Sequence, residues 1–342
     1  MGEGAGAPSR SRWGWVVALA VATGILTWGV RSLDMGAVAS VLLGTNPLWL
    51  LPALLFNLST VALWATLWHF LLPPGARISR RRVLGVTSVM AMVANTVPLM
   101  AGHATGTLLL ARQDGVGEGA ALSVLAQDQL LEGLSKLMLL AAVAWVAPLP
   151  DPLRRGGLSL ALAVLVLLIV LVLLSTWDAR SRRDGEGTPG VAWGGGTPGG
   201  PAAFLVFLRN ASRNLVVFRR PGIFAWGLIL AVSMKGAEAL AILCTARAVG
   251  LEIPPWQVLP VLGAVSLAGM VPVAPGNLGV YEGAAFWAWR WMGVEAETAA
   301  AVALLQHLVY LLPVVGSGWV VLGLRALATP DASSSAARRA AS

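Results

Sequence analysis

Gly157 to Trp177 is a run of 21 residues without one charged side chain, and a run of this kind decides most of what the chain can fold into. A helix rises about 1.5 Å per residue and a bilayer's hydrocarbon core is about 30 Å thick, so about 20 apolar residues cross it. No water is available there to bond peptide groups, and a continuous apolar run must satisfy its backbone as a helix. Trp13–Val30, Pro47–Leu72, Gly119–Val146, Pro221 to about Val249, Pro255–Val271 and Ala296–Ala326 are further apolar runs, three of them with a few charged residues. Charged residues are only 12% of the 342-residue chain, against about 25% in soluble domains. The expectation is an all-α polytopic membrane protein.

The formal charge of +8 then reads as topology and anionic-lipid contact rather than nucleic-acid binding. Arg77, Arg80, Arg81 and Arg82 cluster in one loop, which predicts that this loop and the N-terminus face the cytoplasm. Met1–Arg12 is short and basic, and with no small-residue cleavage site before Arg31 the following run reads as an uncleaved first span. The single cysteine, Cys244, excludes an intrachain disulfide, and three scattered histidines give no metal-ligand spacing. No metal or cofactor is expected.

Glycine and proline divide the rest. Residues 178–200, glycine-rich with alternating charges, read as a flexible linker between a first transmembrane half (13–177) and a second (221–326). Arg209 and Arg213, spaced i, i+4 in an apolar segment, make 201–220 a basic interfacial helix. Residues 327–342 read as a disordered tail. Trp287, Trp289 and Trp291 suit a helix at the interface, and Pro313 predicts a kink in the last span.

The break at Val271–Glu282 is the candidate site. Pro272, Pro275, Gly276 and Gly279 argue against a continuous helix, and backbone freed in this way must be buried in protein or line a cavity. Such breaks are where transporters bind substrates. Asn277 lies within it and Glu282 closes it, with no cation within a helical turn, so its partner is tertiary. An earlier, fainter break holds Asn95, Pro98, Gly102 and His103.

The two breaks are related by an internal offset. Val97-Pro98 and Gly102 match Val271-Pro272 and Gly276 at 174 residues, and Gly115-Val116, Ala121 and Val124 match Gly293-Val294, Ala299 and Val302 at 178. Asp128-Gln129 then stand opposite Gln306-His307. The expectation is about eight spanning helices in two repeated halves, with two re-entrant elements meeting centrally. Counting crossings between the breaks makes the halves parallel and puts Arg180–Arg220 outside, against the positive-inside trend; the sequence leaves that conflict open. Asp128, Glu132 and Lys136 share one helical stripe, and Lys235 and Glu238 sit at i, i+3. Buried charges must point inward and pair, Glu132 with Lys136 and Lys235 with Glu238. His103 and His307 are candidate titrating groups.

Pro272-x-x-Pro275-Gly276-x-x-Gly279-x-x-Glu282, a short helix, Gly293-Val294 and a long final helix together resemble the transmembrane region of the lysylphosphatidylglycerol synthase family. Asn95-x-x-Pro98-x-x-x-Gly102 with Leu108–Leu110 and Gly115 resembles its first half. The resemblance implies a cell-membrane protein of bacterial or archaeal type that moves or binds a lipid, a phospholipid or polyprenyl-linked substrate. Members with a fused cytosolic aminoacyl-transferase domain make the lipid. The tail after Ala326 is too short for such a domain, so the expectation is a flippase-like role without synthase activity. Asn277 stands where the family tends to have a second glycine. Asp128-Gln129 and Gln306-His307 stand where it tends to carry arginine, and the family's Gly-Glu-x-x-Arg falls at Gly102-His103-x-x-Gly106. Two other functions stay open: a lipid-modifying transferase with Asp128 or Glu282 as base, and a non-catalytic membrane subunit of a separate synthase.

Overall fold

A computed structural model describes residues 33–73, 75–97, 101–113, 115–147, 221–270 and 274–328, with 24, 155, 159, 162, 165 and 166 described singly. The expected spans at 13–30 and 157–177, the linker, the basic interfacial helix and the tail from Thr329 lie outside the described residues. What is described is helical: α1 (Met35–Leu43), α2 (Pro47–Leu71), α3 (Arg80–Thr96), α4 (Ala101–Ala111), α5 (Gly117–Val146), α6 (Pro221–Ala248), α7 (Val258–Ala268), α8 (Val280–Trp291) and α9 (Ala296–Ala328), with 3-10 turns at Pro255–Gln257 and Pro275–Asn277.

Four of these helices, α2, α5, α6 and α9, are long and apolar enough to cross a membrane, so the chain is a multi-pass membrane protein. At about 1.5 Å per residue, even α2, with 25 residues, exceeds the hydrocarbon core. Leu48, Leu51, Leu55 and Leu58 on α2 and Leu304, Leu308 and Leu312 on α9 are exposed. These stripes at helical spacing face lipid, where leucine costs nothing to leave uncovered. The sequence expectation of a span at Pro255–Val271 gives way to something shorter. With its 3-10 lead-in, α7 ends at Ala268 after 14 mostly apolar residues, too few to cross.

Helix starts follow local chemistry. Asp34 accepts from the Gly36 and Ala37 amides, Asn46 from Leu48 and Ser79 from Arg82, each satisfying donors that the first turn leaves free. Pro47 follows Asn46 at the first helical position, where its missing N–H costs nothing. The Asn46 amide also donates to the Ala248 carbonyl at 2.8 Å, tying the start of α2 to the end of α6. At the far end Gly227 of α6 lies against Leu67 of α2. The two helices therefore run antiparallel along their whole length.

Small residues set the closest approaches, as expected where lipid supplies no hydrophobic drive between helices. Gly102 abuts Ala94, and Gly106 abuts Met90; the rising and falling numbers make α3 and α4 an antiparallel hairpin. Gly115, beyond α4, returns to Gly75 and Arg77 ahead of α3. Gly318 of α9 packs on Met92 and Ser88, and Gly85 on Val321 and Arg325, so α9 runs antiparallel to α3. Pro313 lies within α9, which continues through it. It leaves the Val309 carbonyl without its helical donor, and the buried Asn57 amide of α2 donates there at 3.2 Å.

Among the described residues the apolar core is divided into five clusters, two of them large. One cluster gathers Leu67, Trp68, Val86, Met90, Leu110, Val124 and Leu131, with Ala231 of α6. The other gathers Leu139, Val143, Ile242, Ala246, Leu262, Trp289 and Val302. Both α5 and α6 pass from one cluster into the other. Trp289, read as an interface anchor, is fully buried in the second cluster, while Trp287 and Trp291 on the same helix are exposed.

Gly102→Ala should destabilise more than Gly106→Ala. An added Cβ meets the Ala94 backbone at 2.6 Å in the first case and mainly the flexible Met90 side chain in the second. Overpacking costs about 1–3 kcal/mol, and Gly236→Ala, with nothing within 4 Å, serves as the neutral control. Thermal unfolding in detergent gives the order. Asn57→Leu is expected to lose about 1–3 kcal/mol by orphaning the Val309 carbonyl.

Candidate functional site

Between the two large apolar clusters, where α5 and α6 pass from one to the other, lies a cavity of about 520 Å³. Its walls carry the charges that the spanning helices bring to mid-length. From α5 come Asp128, Gln129, Glu132, Ser135 and Lys136, and from α6 Lys235, Glu238 and Thr245. On α2, Asn57, Thr60, Val61 and Trp64 fall at i, i+3, i+4 and i+7, one face of a helix. The α9 wall is Gln306, His307, Tyr310 and Val314.

Each charge is held. Lys136 Nζ lies 2.7 Å from Glu132, and Lys235 Nζ donates to both oxygens of Glu238 at 2.9 and 2.8 Å. Both pairs match the sequence expectation, and pairing is what a low-dielectric setting demands. Asp128 is 1% exposed. Its carboxylate accepts from Trp64 Nε1 at 2.9 Å and from Gln129 Nε2 at 3.3 Å. Gln129 Nε2 also meets His103 Nε2 at 3.0 Å and Glu132 at 3.4 Å.

The second break closes the opposite wall. Gly276 has φ 60° and Gly279 φ 82°, left-handed conformations that glycine adopts freely. Asn277, at φ 52°, is there at a cost that asparagine bears better than most residues. Gly276 sits on the first break: a Cβ there would lie 2.9 Å from the Asn95 carbonyl oxygen. From Gly279 the chain enters α8, and Glu282 folds back to accept from the Gly279 amide at 2.7 Å. Its other oxygen meets His307 Nδ1 at 2.8 Å. Tyr281 stacks on His307 with ring centroids 4.1 Å apart and accepts from Gln306 at 2.8 Å.

Of the residues singled out in the sequence, Asn95, His103, Asp128, Gly276, Asn277 and His307 line the cavity. Gly102 is buried in the α3–α4 hairpin, Pro275 opens the 3-10 turn, and Gly279 caps α8. Glu282 stands behind His307 and does not itself line the cavity; the tertiary partner expected for it is that imidazole. Pro98 and Pro272 lie outside the described residues.

Trp64, Tyr281 and Tyr310 were missed. The tryptophans read as packing or interface anchors, yet Trp64 shares a helical face with Asn57 and Thr60, a stripe visible in the sequence. Among the described residues one group of side chains has the make-up of a metal site, His103, Asp128 and Glu132. Three histidines far apart in sequence gave no hint of it.

Lys235→Met or Glu238→Leu alone should cost about 3 kcal/mol by stranding a charge, and the two together should recover most of it. A double-mutant cycle on chemical unfolding in micelles reads the coupling. A family model described as Lysylphosphatidylglycerol synthase TM region matches residues 15–318. No curated protein matches the chain.

Proposed function

The chain belongs to the lysylphosphatidylglycerol synthase TM region family, and from that premise we propose that it binds and translocates a lipid or lipid-linked amphipathic substrate whose headgroup enters the cavity. The observation that carries this reading is the position of the cavity's charges. Three carboxylates (Asp128, Glu132, Glu238) and two ammonium groups (Lys136, Lys235) line it, halfway along two helices long and apolar enough to cross a membrane. Ionisable groups at that depth are expensive to keep. Ion pairing and, for Asp128, hydrogen bonds satisfy them but give no reason for a cavity of about 520 Å³ among them. A polar headgroup crossing the membrane needs such a surface, while its acyl chains stay in lipid beside α2 and α9.

The two-half architecture, with about eight crossings in the full chain and re-entrant breaks, is part of the same proposal. The α3–α4 hairpin returns to the side it left, at Arg77, and α7 and α8, on either side of the second break, pack on each other. Counting 178 residues on from His103 and Gln129 gives Tyr281 and His307; the first pair is hydrogen-bonded and the second stacked. Each broken segment is thus fastened to the long helix that follows it at an equivalent place. The arginines of 77–82 put that loop on the cytoplasmic side.

His307 carries the second wall, and Glu282 acts through it as a positioning residue. Purified protein in liposomes is expected to move a fluorescent-headgroup phospholipid between leaflets without added nucleotide. Protein-containing liposomes no faster than empty ones would contradict the proposal. Glu282→Gln retains an acceptor for the Gly279 amide but loses the charge facing His307. It is expected to slow movement about tenfold or more, since a hydrogen bond to a charged group is worth about 1.5–3 kcal/mol, while leaving the elution profile of the protein unchanged.

A further inference from the structure

With His103 Nε2 in its unprotonated tautomer, three acceptors converge on one nitrogen beside the cavity. Gln129 Nε2 lies 3.0 Å from His103 Nε2, 3.3 Å from Asp128 Oδ2 and 3.4 Å from Glu132 Oε2. A carboxamide nitrogen carries two hydrogens, so it cannot satisfy all three. Turning the amide round is worse, because it points the oxygen at two carboxylates. A centre ringed by one imidazole and two carboxylates is short of positive charge whichever way Gln129 faces.

We propose that this centre is a divalent transition-metal site with His103, Asp128 and Glu132 as ligands. The donor atoms lie within 4.8 Å of one another, and an ion holding them at about 2.0–2.2 Å draws them in by side-chain rotation. Asp128 and Glu132, at i, i+4 on α5, present both carboxylates on one face, and the α3–α4 hairpin delivers His103 opposite them. Glu132 uses one oxygen for Lys136 at 2.7 Å and keeps the other, Oε2, for the ion. With a metal at the centre, the reversed Gln129 amide becomes favourable, its oxygen a fourth donor.

One imidazole with carboxylate and amide oxygens suits zinc, cobalt(II) or manganese(II) rather than a thiolate-seeking ion. The ion also changes the charge of the cavity. The described lining has three carboxylates against two ammonium groups; a bound divalent ion turns that excess of one negative charge into one positive. All three ligands line the cavity, so any position they leave open faces it. The site stands independently of the transport reading, since metal binding is measured without lipid.

The full chain in detergent, stripped with a chelator and titrated with cobalt(II), gives the test. The expected result is one cobalt per chain with visible ligand-field bands, displaced by zinc, and a rise in unfolding temperature with either ion. His103→Gln is expected to weaken binding by about 100-fold or more, and His69→Gln, away from the cavity, to leave it unchanged. If His103→Gln does not give folded protein, Glu132→Gln carries the same comparison. No saturable band in the wild-type chain, or equal binding by wild type and His103→Gln, overturns the proposal.

Discussion

A carboxylate or ammonium group at mid-bilayer has no bulk water to turn to, and the arrangement of the described helices follows from that. Asp128, Glu132, Lys136, Lys235 and Glu238 all sit in the middle turns of α5 and α6. Had they pointed outward, each would have faced hydrocarbon. Pointing inward, they cannot be packed among leucines either, and a polar layer lies between the two largest apolar clusters. The pairs Glu132–Lys136 and Lys235–Glu238 neutralise most of that layer within single helices. Asp128 is held instead by donors from α2 and from its own neighbour Gln129.

The two breaks are the second consequence. A continuous helix would fill the polar layer with side chains on every face. A chain that stops at Val97 and again at Gly269 lets α3 and α7 end at the cavity, where freed backbone groups have polar company. Glycine makes the contact between the breaks close enough to matter, with Gly276 against the Asn95 carbonyl. The Gly279 amide, at the mouth of α8, is bonded by Glu282, whose other oxygen meets His307. One carboxylate thus caps a helix and orients a cavity imidazole.

Much of this was legible in the sequence because membrane rules are strict. The bounds of α2, α5 and α6, the inward stripe on α5 and both ion pairs follow from apolar run length and i, i+3 or i+4 spacing. What escaped was tertiary. Glu282 has no cation within a turn, and nothing in its neighbourhood points to a histidine 25 residues away. Trp64 reads as any tryptophan in an apolar helix until its partner on α5 is known. The shortness of α7 escaped because apolar sequence continues past the helix end, to Val271, and hydropathy does not register where the backbone stops. Pro313 was read as a kink in the last span; that Asn57 donates to the carbonyl it leaves free was not legible.

Photocrosslinking with a phospholipid that carries its reactive group on the headgroup tests the central claim most directly, because it asks whether headgroups reach mid-membrane inside this protein. Wild-type chain in bilayers is irradiated and the modified peptides are mapped. Adducts are expected in the middle of α5, between Asp128 and Lys136, and of α6, between Lys235 and Thr245, competed by unlabelled phospholipid. Adducts confined to helix ends and interfacial loops, with none in those two stretches, would contradict a headgroup cavity between the two breaks.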